Sequence, residues 1–336
     1  ILRELGGGGM SRVFLAEEVR LGRRVVIKVL PPDMAAGVNA ERFEREIQLA
    51  ASLQHPHIVQ LLTAGANADL AYYVMPFIEG ESLRARLARE GALPMAEVLR
   101  ILHNVVDALA YSHHHGVVHR DIKPDNVMLS GKHALVTDFG VAKAVSASSG
   151  DGHTNLTSLG IALGTPAYMS PEQAAADPRV DQRADIYAVG AMAYEMLCGR
   201  TPFVAPTPQG MLAAHIAERP EPPARYRNTI PTAMNELVLK CLEKNPADRI
   251  QTADEIAAML TAMATPTGGT TPISTEPVST ARQDAQAAVR RYAPGRVIGL
   301  FLFASAMVVG VAFGLTRMFD LPDWVWQGAA VAMAIG

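Results

Sequence analysis

The stretch HRDIKPDN (residues 119–126) sets an imidazole, two carboxylates, two cations and an amide side by side, directly before the apolar run Val127-Met128-Leu129. A solvated turn accounts for the charge but not for the order. Twelve residues after Asn126 stands DFG (138–140), and the short strand-like runs VML and ALVT lie between, at hairpin spacing. Asp121 is a candidate to accept a proton from an attacking hydroxyl. Asn126 and Asp138 offer the hard oxygen ligands that Mg2+ prefers, and Lys123 carries the charge that neutralises a transferring phosphoryl group.

Upstream of that stretch, LGGGGMSRV (5–13) reads as a glycine-rich turn between two β-type runs. Residues without Cβ let backbone N–H groups approach phosphate oxygens, and Val13 is placed to cover an apolar ring. A mobile hairpin accounts for the same segment. Lys28 ends the β-branched run VVIK, where a lone cation needs an anionic partner, a phosphate or a carboxylate. On the helix that follows, Glu46 is the best candidate, with Glu41 and Glu44 as solvated alternatives.

The 336 residues are 49% hydrophobic and 19% charged, enough for two or three units with their own cores, and they exclude disorder throughout. A formal net charge of -3 offers no global electrostatic reason to bind nucleic acid. Cys198 and Cys241 sit far apart in apolar, helical contexts, which points to a reducing compartment. The chain opens without Met or signal peptide and closes on the apolar run QGAAVAMAIG (327–336), so it reads as a fragment.

Residues 1–30 alternate β-type runs with turns, and a helix is expected in AERFEREIQLAASLQ (40–54), ended by His55-Pro56. Further strands fit HIVQLLTAG (57–65) and AYYVMPFI (71–78). From about residue 82 helical stripes dominate: SLRARLARE, MAEVLRILHNVVDALAYSHHHG, ADIYAVGAMAYEMLCG, MNELVLKCLEK and TADEIAAMLTAM. A small β-rich lobe therefore precedes a larger helical one. Residues 263–296, rich in Thr, Pro and Gly at their start, read as a flexible juxtamembrane linker.

The uncharged run VIGLFLFASAMVVGVAFGL (297–315) meets the length of a membrane-spanning helix, although a buried core helix has the same signature. Arg290, Arg291 and Arg296 precede it, whereas Arg317, Asp320 and Asp323 follow, so the positive-inside rule places the N-terminal part in the cytoplasm. Trp324 and Trp326 mark an interface. Residues 316–327 then form a short extracytoplasmic loop, and 328–336 begin a second, truncated span. Gly310 and Gly314, with Ala306 upstream, form a small-residue stripe that permits close helix pairing and a homodimer. Small residues are also common in membrane helices at large.

Taken in order, the glycine-rich loop, the strand lysine, HRDIKPDN, DFG and SPE (170–172) resemble the eukaryotic-type (Hanks-type) protein kinases, and in particular the membrane-anchored serine/threonine kinases of bacteria. The resemblance covers residues 1 to about 262. It implies an α+β, bilobal kinase fold, with the N-lobe in 1–78 and the C-lobe in 79–262, followed by linker and membrane helix. It implies ATP and Mg2+ as cofactors, with Mn2+ as an alternative, protein substrates including the chain itself, and a kinase domain on the cytoplasmic side of the inner (cytoplasmic) membrane.

Carried over residue by residue, Asp121, Lys123 and Lys28 are the catalytic set and Asn126 and Asp138 the metal ligands. Lys28 holds the α and β phosphates and pairs with Glu46. The nucleotide site draws on Leu5, Gly6, Gly7, Gly8, Gly9, Met10 and Val13, with Met75 resembling the gatekeeper and Pro76-Phe77-Ile78 the hinge. Lys123 in DIKPDN and the run GTPAYMSPE (164–172) resemble the Ser/Thr-specific pattern. Thr165 is expected to contact the catalytic loop, Glu172 to pair with Arg249, and Asp185 to anchor the catalytic-loop backbone.

Ser11 departs from the third glycine of the loop, and SPE from APE. In the activation segment (148–168) Thr157, then Thr154, are the expected phosphosites, with Ser158 a further candidate, and Arg120 beside Asp121 suggests control by phosphorylation. The run HHH (113–115) invites a metal reading, but adjacent side chains on a helix point about 100° apart. Two other readings of the whole are a pseudokinase scaffold and a small-molecule phosphotransferase of related fold. The joint presence of Lys28, Asp121, Asn126 and Asp138 argues against the first, and the long activation segment against the second.

Overall fold

The first sheet runs in the order Arg3–Gly8 (β1), Ser11–Glu18 (β2), Arg23–Val29 (β3), Ala71–Pro76 (β5) and Thr63–Ala66 (β4), with every pairing antiparallel. The computed structural model describes residues 1–8, 11–30, 40–66, 70–141 and 166–264, all within one compact unit, Ile1–Thr267. Val13 pairs with Lys28 and Lys28 with Tyr73, while Leu15 pairs with Val26 and Val26 with Met75. These six residues therefore share one face of the sheet.

Against that face packs helix α1 (Ala40–Ala51), whose Phe43, Ile47 and Ala50 are buried at helical spacing. They join Val26, Tyr73 and Met75 in an upper core. The glycine run is less of a turn than its composition suggests: Gly6, Gly7 and Gly8 continue β1 opposite Val13, Arg12 and Ser11, after a register shift between Glu4 and Gly6. The strand expected over 57–65 is also shorter and later. Ile58 makes an isolated parallel bridge to Val136, and the Val59 N–H donates to the Val136 carbonyl at 2.9 Å, so residues 58–59 are tied to the lower lobe and the stretch joins the sheet only from Leu62, whose N–H donates to the Val74 carbonyl at 2.8 Å.

The lower lobe carries a small second sheet, β6 (Glu81–Ser82), β7 (Val127–Ser130) and β8 (His133–Val136), and helices α2 (Leu83–Glu90), α3 (Met95–His114), α4 (Pro171–Ala174), α5 (Arg183–Cys198), α6 (Pro208–Ala217), α7 (Thr232–Cys241) and α8 (Ala253–Ala264). Ser82 caps α2 by accepting the Ala85 N–H at 3.1 Å. Helix α6 lies outside the helical stripes named above; Pro208 and Gly210 in its first turn are poor helix formers, and Thr207 caps it by accepting the Gly210 N–H.

Helix α5 is buried on every side from Ala184 to Leu197, as its apolar composition all round demands. A Cβ at Gly190 would meet Cys241 Cβ at 2.6 Å, so glycine there is what lets α5 and α7 approach. Cys198 and Cys241 are both free thiols, and burial pushes Cys241 up to about 12 and Cys198 to about 11. No helix among the described residues is long and apolar enough to cross a membrane, and the span expected at 297–315 lies outside them.

Candidate active site

The hairpin β7–β8 sets the site. Its first pair is Val127 with Val136, and just beyond it the Thr137 N–H donates to the Asn126 carbonyl at 2.9 Å, which brings Asn126 beside Asp138. Ahead of β7, Pro124–Asn126 form a single 3-10 turn, and Ile122 anchors the loop in the lower core. The result is a short polar loop held at both ends by apolar side chains.

Asp121 stands partly exposed on that loop, its carboxylate held by Lys123 Nζ at 2.8 Å and Asn126 Nδ2 at 2.9 Å. Asn126 Nδ2 also donates to the Asp121 carbonyl at 2.7 Å. His119 is buried: its Nδ1 accepts the Asp121 N–H at 3.2 Å, which leaves Nε2–H to donate to the Thr137 carbonyl at 2.8 Å. The imidazole is thus a strut between the two loops, and the Phe139 ring packs edge-on against it at 4.6 Å.

Asp185, fully enclosed at the start of α5, accepts the backbone N–H groups of His119 at 2.8 Å and Arg120 at 2.7 Å and lies 2.9 Å from His113 Nε2. Burial alone would raise its carboxyl, but His113 and the backbone donors hold it below the ordinary carboxylate value. These contacts maintain Arg120 at φ 68°, a left-handed backbone that costs a bulky residue about 1–2 kcal/mol. Gln173 on α4 adds a hydrogen bond from Nε2 to the Arg120 carbonyl at 2.7 Å.

From the first sheet, Lys28 Nζ forms an ion pair with Asp138 Oδ2, and the Tyr73 hydroxyl donates to Asp138 Oδ1 at 2.9 Å. Burial opposes the Asp138 charge, yet Lys28 and the two hydrogen bonds outweigh it and keep the carboxyl below its usual range. Burial and the neighbouring Asp138 push the Tyr73 phenol well up, so it stays a donor. Asp138 itself has φ 66°, and Gly140 has φ 71° with room for no Cβ, because one would come within 2.9 Å of Ala50 Cβ on α1.

The donor set fits a hard divalent cation. With its amide N–H groups spent on Asp121, Asn126 has Oδ1 left to offer, and the Asp138 carboxylate retains lone pairs beyond those taken by Lys28 and Tyr73. Bound there, Mg2+ supplies neutralisation of phosphate charge.

The remaining candidates are distributed as follows. Leu5, Gly6, Gly7 and Gly8 lie on β1, Val13 on β2, Met75 and Pro76 on β5; Val13, Phe77 and Ile78 pack against the upper core, and the Phe77 N–H donates to the Arg24 carbonyl at 3.2 Å. Glu172 receives both Nη groups of Arg249 at 2.7 Å. Gly9, Met10, Thr154, Thr157, Ser158 and Thr165 lie outside the described residues, as does the side chain of Glu46, whose backbone belongs to α1. The three consecutive histidines diverge: His113 goes to Asp185, His114 Nε2 to Asp254 at 3.3 Å, and His115 Nδ1 to the Tyr111 carbonyl at 2.8 Å.

Tyr73, His113 and Gln173 were missed by sequence reasoning. Tyr73 alone carried a signal, since alternation in AYYVMP turns it inward with Ala71 and Met75, and a buried phenol needs a partner.

A five-stranded sheet over a mainly helical lobe, with a lysine, two aspartates and an asparagine converging between them, defines a phosphotransferase of the protein kinase class. The family model for the protein kinase domain matches residues 1–260, and the chain belongs to that family. Its relatives include the serine/threonine-protein kinase pkn2 of Myxococcus xanthus, 41% identical over 269 residues, and the serine/threonine-protein kinase PknB of Mycobacterium leprae, 40% identical over 262. These matches take in 78% and 76% of this chain but 32% and 41% of the relatives' own lengths. Among solved structures, Rad53 1-466 in complex with AMP-PNP superposes with a TM-score of 0.62 at 25% identity, over 76% of this chain and 63% of that one.

Proposed function

We propose that the chain transfers the γ-phosphoryl group of Mg-ATP to serine and threonine hydroxyls of proteins. The observation that carries this is the Asp121 carboxylate, partly exposed and oriented by Lys123 and Asn126, on a loop that the β7–β8 hairpin sets beside Asp138 and its partner Lys28. The substrate oxygen attacks the γ phosphorus as the bond to the β-phosphate oxygen breaks. ADP leaves with the electron pair, and Asp121 accepts the hydroxyl proton. Lys123 remains beside the carboxylate as a fixed positive charge for the phosphoryl in transit.

The test is phosphate transfer from labelled ATP by the 336-residue chain and its Asp121→Asn variant, followed by phospho-amino-acid analysis. Phosphoserine or phosphothreonine that falls by about 10²–10⁴-fold in the variant is the expected result. Nucleotide binding with no transfer from the wild-type chain to any protein acceptor would instead favour the scaffold reading.

Two finer features belong to the same proposal. The chain modifies itself on Thr157, then Thr154, and Arg120 receives the phosphate. In support, among the described residues the Arg120 guanidinium donates to the Val180 carbonyl alone, at 3.3 Å, and its buried Nε has no partner there. Fragment-ion mass spectrometry after incubation with Mg-ATP tests it, and modification confined to 263–280 would refute it. The chain is also membrane-anchored through 297–315, with the catalytic domain on the cytoplasmic side and pairing through Gly310 and Gly314. That rests on the uncharged length of the segment and its flanking arginines. Protease protection in membrane vesicles reads the topology, and association unchanged by isoleucine at both glycines would reject the pairing.

A further inference from the structure

Arg84, the second residue of α2, reaches across the lower lobe into a recess beside the catalytic loop. Its Nη1 donates to Glu195 Oε1 at 2.7 Å, its Nη2 to the Tyr168 hydroxyl, and its Nε to Asp125 Oδ2 at 3.3 Å. Tyr168 donates in turn to the second oxygen of Glu195, and the guanidinium lies 5.6 Å from the centre of the Tyr168 ring.

Three of these elements bear on the substrate. Asp125 sits between Lys123 and Asn126, both of which grip the Asp121 carboxylate. Tyr168 closes the 3-10 turn that ends the activation segment. Glu195, with a side chain only 10% exposed, has one cation among the described residues, and that cation is Arg84. A nearly enclosed carboxylate deprived of its cation must find another, because leaving it charged and unpaired is costly.

We propose that Arg84 is a specificity-determining residue: its guanidinium fills, from within the chain, an acidic recess made by Glu195, Asp125 and Tyr168 beside Asp121, and so denies that recess to an arginine of the peptide substrate. The inference rests on a peptide hydroxyl reaching Asp121. The recess has the chemistry for a guanidinium, as its present occupant demonstrates, and a lysine at position 84 keeps it neutralised, although with fewer donors in a fixed plane.

The experiment uses the 336-residue chain and serine peptides in which arginine or its uncharged isostere citrulline is placed in turn at four positions on each side of the target, at about 0.15 M salt, where long-range attraction is screened. The quantity read is the ratio of kcat/KM for arginine over citrulline. For the wild type it is expected near one at every position. In Arg84→Ala it rises at least tenfold at one position; Arg84→Lys leaves it near one; adding Glu195→Gln to Arg84→Ala abolishes the rise.

A wild-type ratio of ten or more at any position, or an Arg84→Ala ratio that stays within twofold of one in a cooperatively melting protein, overturns the proposal. Should the alanine variant fail to melt cooperatively, Arg84→Gln, which keeps a donor to Glu195 without the charge, must show the same rise. Peptide binding by fluorescence anisotropy reads the same ratio in Kd without any transfer, so a chain inactive as a kinase still tests the recess.

Discussion

Of the ion pairs that join distant parts of this chain, Arg249–Glu172 and Lys28–Asp138 are built on opposite plans. Arg249 has a fully enclosed guanidinium whose five N–H groups are all engaged: two on Glu172, the others on the carbonyls of Arg183, Glu243 and Lys244, at 2.7 to 3.0 Å. Lys28 and Asp138 are only partly buried, and among the described residues Lys28 Nζ donates to Asp138 alone, one bond for three N–H groups. The first pair is closed and holds helices α4 and α5 to the loop before α8. The second keeps capacity in hand, which is what a site needs if phosphate is to enter it.

The contrast breaks or sharpens under substitution. The largest effect is expected from Lys28→Met, which should lower transfer by about 10³-fold or more while costing less stability than any change at Glu172; kcat and a urea melt on the same sample check both halves. Next comes Glu172→Gln, which leaves the enclosed Arg249 charge uncompensated and should cost about 3 kcal/mol or more, read as a lower urea midpoint. An unaltered midpoint would mean that the pair is not closed after all.

A third test reaches the same interior through pH. His215 packs beside Lys244 and within 2.9 Å of the Tyr187 hydroxyl, and burial, reinforced by Lys244, lowers its pKa to about 4. The unfolded chain then binds a proton below about 6.5 that the folded chain refuses until about 4, so stability falls as pH falls through that window, by at most about 3 kcal/mol. His215→Gln should flatten melting temperature against pH between those limits, and an unchanged slope would place the titration elsewhere. The smallest effect is expected at the exposed Arg12–Glu4 pair on β1 and β2, where Arg12→Ala should leave the melting curve unmoved.

How legible was this in the sequence? HRDIKPDN and DFG are local, and one hairpin brings their key residues together, so order and spacing sufficed to nominate Asp121, Asn126 and Asp138. The division into a β-rich and a helical lobe follows from a change in apolar period. What escaped is what depends on long separations: Tyr73 meets Asp138 across 65 residues, Gln173 meets Arg120 across 53, and Arg84 meets Glu195 across 111. No periodicity encodes such contacts. The strand expected over 57–65 starts late for a related reason: Ile58 and Val59 bond to Val136 of β8, far along the chain, while Val59 and Leu61 still pack in the upper core and pairing begins only near β4.

Helix α5, enclosed from Ala184 to Leu197, sends Asp185 to the catalytic loop and Glu195 to the recess filled by Arg84. Its amide protons have no local route to solvent, so deuterium should enter them only when the whole domain opens. They form an internal clock. A nucleotide, a phosphate on the activation segment or a peptide that slows exchange in the catalytic loop but leaves the α5 rate alone is acting locally; one that slows both has stabilised the entire domain.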